Sequence, residues 1–110
     1  MLNELRPFLL LRAHPKTPER ARFEQWFRDS HVPAIRRIPG ISGIEVGRTS
    51  GGTTLGFYMF ESAAVVQAAL SSPEAAYARG TWEAWTPHLD ELLIEIWAPL
   101  VPLPIYQSAS

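Results

Sequence analysis

The sequence predicts an α+β domain of ferredoxin-like plan, β-α-β-β-α-β, with four antiparallel strands and both helices on one face of the sheet. Three observations carry that expectation. Strand-like segments at residues 8–13, 41–48, 54–60 and 89–98 alternate with two helix-like stretches in the order this plan requires. Phe23, Trp26, Phe27, Ser30 and His31 recur at i, i+3, i+4, i+7 and i+8, one helical face, whereas residues 54–60 read with period two. The first and third strands are also apolar on both faces, more than a sheet covered on one side needs.

Each element has its own signal. Phe8 to Ala13 is a first strand ended by His14-Pro15, since proline pushes its predecessor toward extended geometry. Thr17-Pro18-Glu19 reads as a helix start with a threonine cap, proline at the first position and an acid in the first turn. That helix is expected to end or bend near Val32-Pro33, where proline removes an amide donor, and a short turn through Ile38 closes at Pro39-Gly40. The second strand puts Ile44 and Val46 opposite Gly43, Glu45 and Gly47, and its small residues suggest a bulge or a close approach. Residues 49–53 form a hairpin connection, after which Leu55, Phe57 and Met59 face one way and Gly56, Tyr58 and Phe60 the other. Ser62 is expected to cap a short helix to about Leu70. Ser72-Pro73-Glu74 starts another, carrying Ala76, Tyr77, Gly80, Ala84 and Trp85, which Thr86-Pro87-His88 stops. In the fourth strand Leu92, Ile94 and Ile96 oppose Leu93, Glu95 and Trp97. Residues 1–110 make one domain, with 99–110 an extended proline-rich arm laid across a neighbour.

The helices suffice for one side of the sheet only, so the same sheet of a second copy is the expected cover for the other, giving a homodimer. Composition narrows the partners further. Net charge is −1, with 46% hydrophobic and 19% charged residues, so the electrostatic footprint of a nucleic-acid binder is absent. Residues 1–48 nevertheless hold nine bases against five acids, a net +4, and residues 49–110 hold Arg79 against six acids, a net −5. A solvated and paired arginine face is the plainer reading of that excess; a site for an anionic ligand is the alternative. No apolar run reaches the roughly 18 residues of a membrane span, and nothing resembles an export signal, so a cytoplasmic protein without membrane contact is expected. Cysteine is absent, which excludes thiolate metal sites and cysteine nucleophiles. The three histidines lack ligand spacing and no glycine-rich phosphate loop occurs, so neither metal nor any cofactor is called for; the absence of a Gly-x-Ser-x-Gly elbow argues against an α/β-hydrolase.

The stretch from Phe23 to Ile41 runs as an aromatic-rich helix, then His31-Val32-Pro33, a few apolar and basic residues, and Pro39-Gly40-Ile41. It resembles the EthD-like proteins of the dimeric α/β-barrel superfamily, closely over about these 20 residues and elsewhere through element order and length. The resemblance implies a ferredoxin-like protomer, a dimer through the sheets, and a pocket between sheet and helices. It also implies a range of chemistries: accessory proteins of ether degradation, polyketide cyclases, isomerases, cofactor-free monooxygenases and heme-degrading enzymes.

Candidate chemistry rests on few side chains. His31, the histidine of the His-x-Pro motif, sits on the aromatic helical face; it can serve as a general base or simply pack and satisfy helix-terminal carbonyls. Tyr58 can donate to a developing enolate oxygen or fill the core. His14, on the face of Phe8, Leu10 and Arg12, and His88, in the loop before the fourth strand, are further catalytic candidates with plain strand-end and loop alternatives. Trp26, Phe27, Tyr77, Trp82 and Trp85 either wall a flat apolar ligand or plug the core. The expected function is a small cofactor-independent enzyme acting on a hydrophobic aromatic or polyketide-like molecule, by a cyclisation, isomerisation or oxygenation begun by proton abstraction. The alternatives are a non-catalytic carrier of such a molecule and, less favoured, a heme-binding or heme-degrading protein with His31 or His88 as axial ligand.

Overall fold

Strand β3 (Thr54–Phe60) decides the two sides of the sheet in the computed structural model, which describes residues 6–99. Its even-numbered residues Thr54, Gly56, Tyr58 and Phe60 are buried, and the odd-numbered Leu55, Phe57 and Met59 are not. Around it lie β1 (Phe8–Pro15), β2 (Ile41–Arg48) and β4 (Leu89–Trp97), all antiparallel, in the order β2-β3-β1-β4. Cross-strand register carries the same division outward: Leu9 pairs with Tyr58, Leu11 with Gly56 and Ala13 with Thr54, and all six lie on one side. The helices cover the middle of that side, as the ferredoxin-like reading requires, and leave Val46, Ile94 and Ile96 on the two edge strands partly exposed. β1 runs through His14 and Pro15 instead of stopping before them, with a register shift there; Pro15 is tolerated because it ends the strand. The bulge expected in β2 is present as a register shift between Ile41 and Gly43.

The first helical stretch begins with a 3₁₀ turn, Thr17–Glu19, whose cap position is held by Lys16 and not by Thr17; the Glu19 N–H donates to the Lys16 carbonyl. It continues as α1 (Arg20–Trp26), a π-helical turn (Phe27–His31) and α2 (Val32–Arg36). The chain therefore does not break at Val32-Pro33. Val32 keeps helical angles, φ −60° and ψ −45°, and its N–H donates to the carbonyl of Phe27, five residues back. One extra residue per turn accommodates the proline ahead of it and advances the following side chains around the axis. Phe23, Phe27 and His31 consequently stay buried, while Ser30, placed by simple periodicity on the same face, is exposed. Gly40, with φ +94°, then turns the chain into β2.

After β3 come a 3₁₀ turn (Ala63–Val65), α3 (Val66–Leu70) and α4 (Pro73–Gly80). Ser62 makes no capping hydrogen bond, but Ser72 does: its hydroxyl accepts from the Ala75 N–H at 3.1 Å, with Pro73 in the first turn. Beyond Gly80 the chain tightens into 3₁₀ turns at Thr81–Ala84 and Thr86–His88. The inward face of this region is Ala75, Ala78, Trp82 and Trp85, so the expected face through Ala76, Tyr77 and Gly80 is displaced by one to two residues. Small alanines, not the large Tyr77, let α4 approach α2. At the centre Phe23 touches four aromatic rings, those of Trp26, Phe27, Trp82 and Trp85, at centroid distances of 5.5–5.9 Å. Residues 100–110, most of the expected C-terminal arm, lie outside the described residues.

Candidate functional site

Two elements bring the best candidates together. The π-helical turn places His31 over the sheet, and mid-strand β3 places Tyr58 beneath it; His31 Nε2 and the Tyr58 hydroxyl lie 2.9 Å apart. Both are almost wholly buried, at 1% exposure each. The room for the phenol comes from Gly56, two residues earlier on the same side of β3. A Cβ there would stand 2.6 Å from the Tyr58 hydroxyl oxygen, so only glycine permits the ring to lie along the strand toward His31.

Burial sets the protonation of the pair. Loss of solvent penalises the imidazolium and lowers the His31 pKa to about 4, and it pushes the Tyr58 phenol up from its ordinary value. At neutral pH both partners are uncharged, and one proton lies in their hydrogen bond. His31 Nδ1 is buried and has no hydrogen-bond partner among the described residues. If Nε2–H donates to the phenol oxygen, Nδ1 holds a free lone pair and the phenol O–H is left to donate elsewhere; one tautomer thus offers a base and a hydrogen-bond donor side by side.

His31 and Tyr58 line a cavity of about 60 Å³ between sheet and helices, walled by Leu11, Ile35 and Trp82, with Arg79 and Ile94 at its edge. That volume holds a few water molecules. His31 Nε2 is engaged by Tyr58, so that atom could ligate heme iron only by giving up its hydrogen bond. Among the described residues no group of three His, Asp or Glu side chains could hold a metal ion.

The other candidates are dispersed. His14 lies on the opposite side of the sheet, in register with Glu91, and its Nδ1 is 3.0 Å from the Thr53 hydroxyl. His88 stands 3.7 Å from Glu19 and edge-on to Trp85. Of the five aromatic candidates only Trp82 lines the His31 cavity. Trp26 packs at 5.6 Å on the His31 ring, Trp85 is buried against Phe23, and Tyr77 is 64% exposed on the outside of α4. Phe27 packs on His31 and also floors a second, larger space.

This second space is a cleft of about 430 Å³ between the α1–α2 stretch and the edge strand β2. Phe27, Val32 and Val46 supply its apolar surface, and Arg28, Arg36 and Arg48 its charge, with Glu24 3.3 Å from Arg48. It shares no residue with the His31 cavity. The arginine excess is visible in the sequence, but residues on a helix and on a strand share no common spacing that would mark this cleft. Gly56 was assigned to the side of Tyr58 by alternation, but the collision that requires it shows only in three dimensions. Arg79 carried one signal, as the lone base of residues 49–110.

No family profile matches the sequence, and no curated protein matches it. Solved structures do match in fold. An EthD family protein from Bacillus halodurans superposes with a TM-score of 0.68 at 17% identity, over 86% of this chain and 99% of its own. SnoaB, a cofactor-independent oxygenase from Streptomyces nogalater, gives 0.63 at 16% identity, over 89% and 96%. A protein of unknown function from Nitrosomonas europaea gives 0.64 at 22% identity, over 90% and 93%. The chain has the fold of these proteins, the one its resemblance to the EthD-like family implied.

Proposed function

We propose that this chain is a small cofactor-independent enzyme acting on a hydrophobic aromatic or polyketide-like molecule, with proton abstraction next to a carbonyl or from a phenol as the first step. A single observation carries the reading: a buried histidine hydrogen-bonded to a buried tyrosine at 2.9 Å, at the wall of a largely apolar cavity. In this reading entry of the substrate uncovers Nδ1 of His31, which is shielded in the free chain; Nδ1 then accepts the substrate proton, and Tyr58 donates to the oxygen on which negative charge develops. A buried imidazole resists an isolated positive charge, but the proton arrives as the enolate forms beside it, so the product is an ion pair in a poorly solvated site. The cavity takes only the reacting edge of the molecule; Ile94 and Ile96, about two-fifths exposed on the helix-facing side of β4, are positioned to carry the rest. The resulting carbanion can then cyclise, be reprotonated elsewhere or react with oxygen, and the fold shared with a cofactor-independent oxygenase supports the last of these. With a substrate in hand, His31→Ala is expected to lower kcat by about 10²–10⁴-fold and Tyr58→Phe by about 10²-fold. Full turnover in both variants overturns the assignment.

A second reading, carriage of a hydrophobic ligand without chemistry, is favoured by the aromatic cluster of Phe23, Trp82 and Trp85, which fills space a larger pocket would need. Binding without turnover, unaffected by Tyr58→Phe, selects it.

The proposal includes a homodimer through the open side of the sheet, where Phe8, Leu10, Phe57, Leu93 and Trp97 form an apolar surface. Phe8 is flanked on it by Phe57 at 5.8 Å and Trp97 at 5.1 Å. Sedimentation is expected to show a dimer that Phe57→Lys dissociates; a monomeric parent chain contradicts it.

A further inference from the structure

We propose that the arginine-walled cleft beside β2 is a second binding site, for an elongated organic acid whose carboxylate is held by Arg36 and whose apolar body lies on Phe27, Val32 and Val46. The site is independent of the His31–Tyr58 reading. At about 430 Å³ it falls within the range of small-molecule pockets, which the His31 cavity does not. β2 is an edge strand, and Val46 on its helix-facing side remains 45% exposed, an apolar surface that neither helix covers.

Charge selects the class of ligand. Of the three arginines, Arg48 is matched by Glu24 at 3.3 Å, and Arg28 has only its exposed neighbour Asp29 at 3.5 Å, too weak a partner to neutralise it. Arg36 makes no ion pair among the described residues. The planar guanidinium fork matches a carboxylate in two-point geometry. Arg28 and Arg36 are eight residues apart on this helical stretch, so one carboxylate does not engage both, and Arg28 adds only its longer-range charge. Glu24, on the same wall, disfavours a polyanion.

A second observation, independent of charge, points to an occupant. Thr54 lines the cleft opposite Arg48 in the β2–β3 register and is only 4% exposed, yet its hydroxyl has no hydrogen-bond partner among the described residues. Buried polar atoms are normally paired, because leaving them so costs stability. That hydroxyl is shielded from solvent, so a polar group of a ligand satisfies it only by displacing the side chains that cover it.

Calorimetric titration of the full chain with 2-naphthoate, 2-naphthol and inorganic phosphate tests the site. Naphthoate is expected to bind at least about tenfold more tightly than naphthol or phosphate, and Arg36→Gln to weaken naphthoate by about tenfold or more while leaving naphthol unchanged. Arg28→Gln, also on the surface, is expected to act in the same direction. Tyr58→Phe, which alters the other cavity, is expected to leave naphthoate binding unchanged. Equal affinity for naphthoate and naphthol, phosphate binding as tight as naphthoate, no naphthoate binding, or loss of binding in Tyr58→Phe but not in Arg36→Gln each overturns the proposal.

Discussion

On the helix-covered side of the sheet, Leu11, Ala13 and Phe60 are wholly removed from solvent; on the other side Phe57, Leu93 and Trp97, no less apolar, keep about two-fifths of their surface. The strands are the same and alternate the same way. What differs is the material laid over them, and with it the local dielectric. Under the helices an imidazole and a phenol lose their water and settle as a neutral bonded pair. On the open side His14 stays half-buried beside the Thr53 hydroxyl and Arg12 beside Glu91, an arrangement suited to meeting another surface.

That contrast can be broken most forcefully at Phe23. Phe23→Ala removes the ring around which the covered side is packed and should cost about 3–5 kcal/mol in chemical denaturation. Next comes acid. Folded His31 stays neutral down to about pH 4, whereas the unfolded chain takes up that proton near pH 6.5, so in this interval the unfolded state binds more protons. The stability due to neutral His31 is complete above about pH 6.5 and falls as the pH drops toward 4, by up to about 3 kcal/mol. His31→Gln should flatten the slope, seen as the difference between the two chains' urea midpoints across that range. The smallest effect belongs at the exposed end of the sheet: Lys16→Ala breaks a 3.0 Å pair with Asp90 that is about half exposed on each side, and should cost less than about 1 kcal/mol.

Much of this was legible in the residues. The alternation of residues 54–60 gave β3 its bounds and put Gly56, Tyr58 and Phe60 on one side; Ser72-Pro73-Glu74 marked the start of α4. His31 and Tyr58 were separately named as candidates, but their meeting depends on the π-helical turn, and a pattern read at 3.6 residues per turn does not contain it. The same regular period misplaced Ser30, and the face drawn through Ala76, Tyr77 and Gly80 misses the buried Ala75, Ala78 and Trp82, though it includes the buried Trp85. Sites assembled from a helix and an edge strand, as the arginine cleft is, leave no mark on local spacing.

Nitrogen-15 NMR of the imidazole tests most directly whether a neutral His31 is bonded to Tyr58. The expected result is a His31 that remains uncharged from pH 7 down to about pH 4, with an Nε2 resonance that shifts in Tyr58→Phe. A His31 that titrates near pH 6.5 and ignores the loss of the phenol hydroxyl would contradict it.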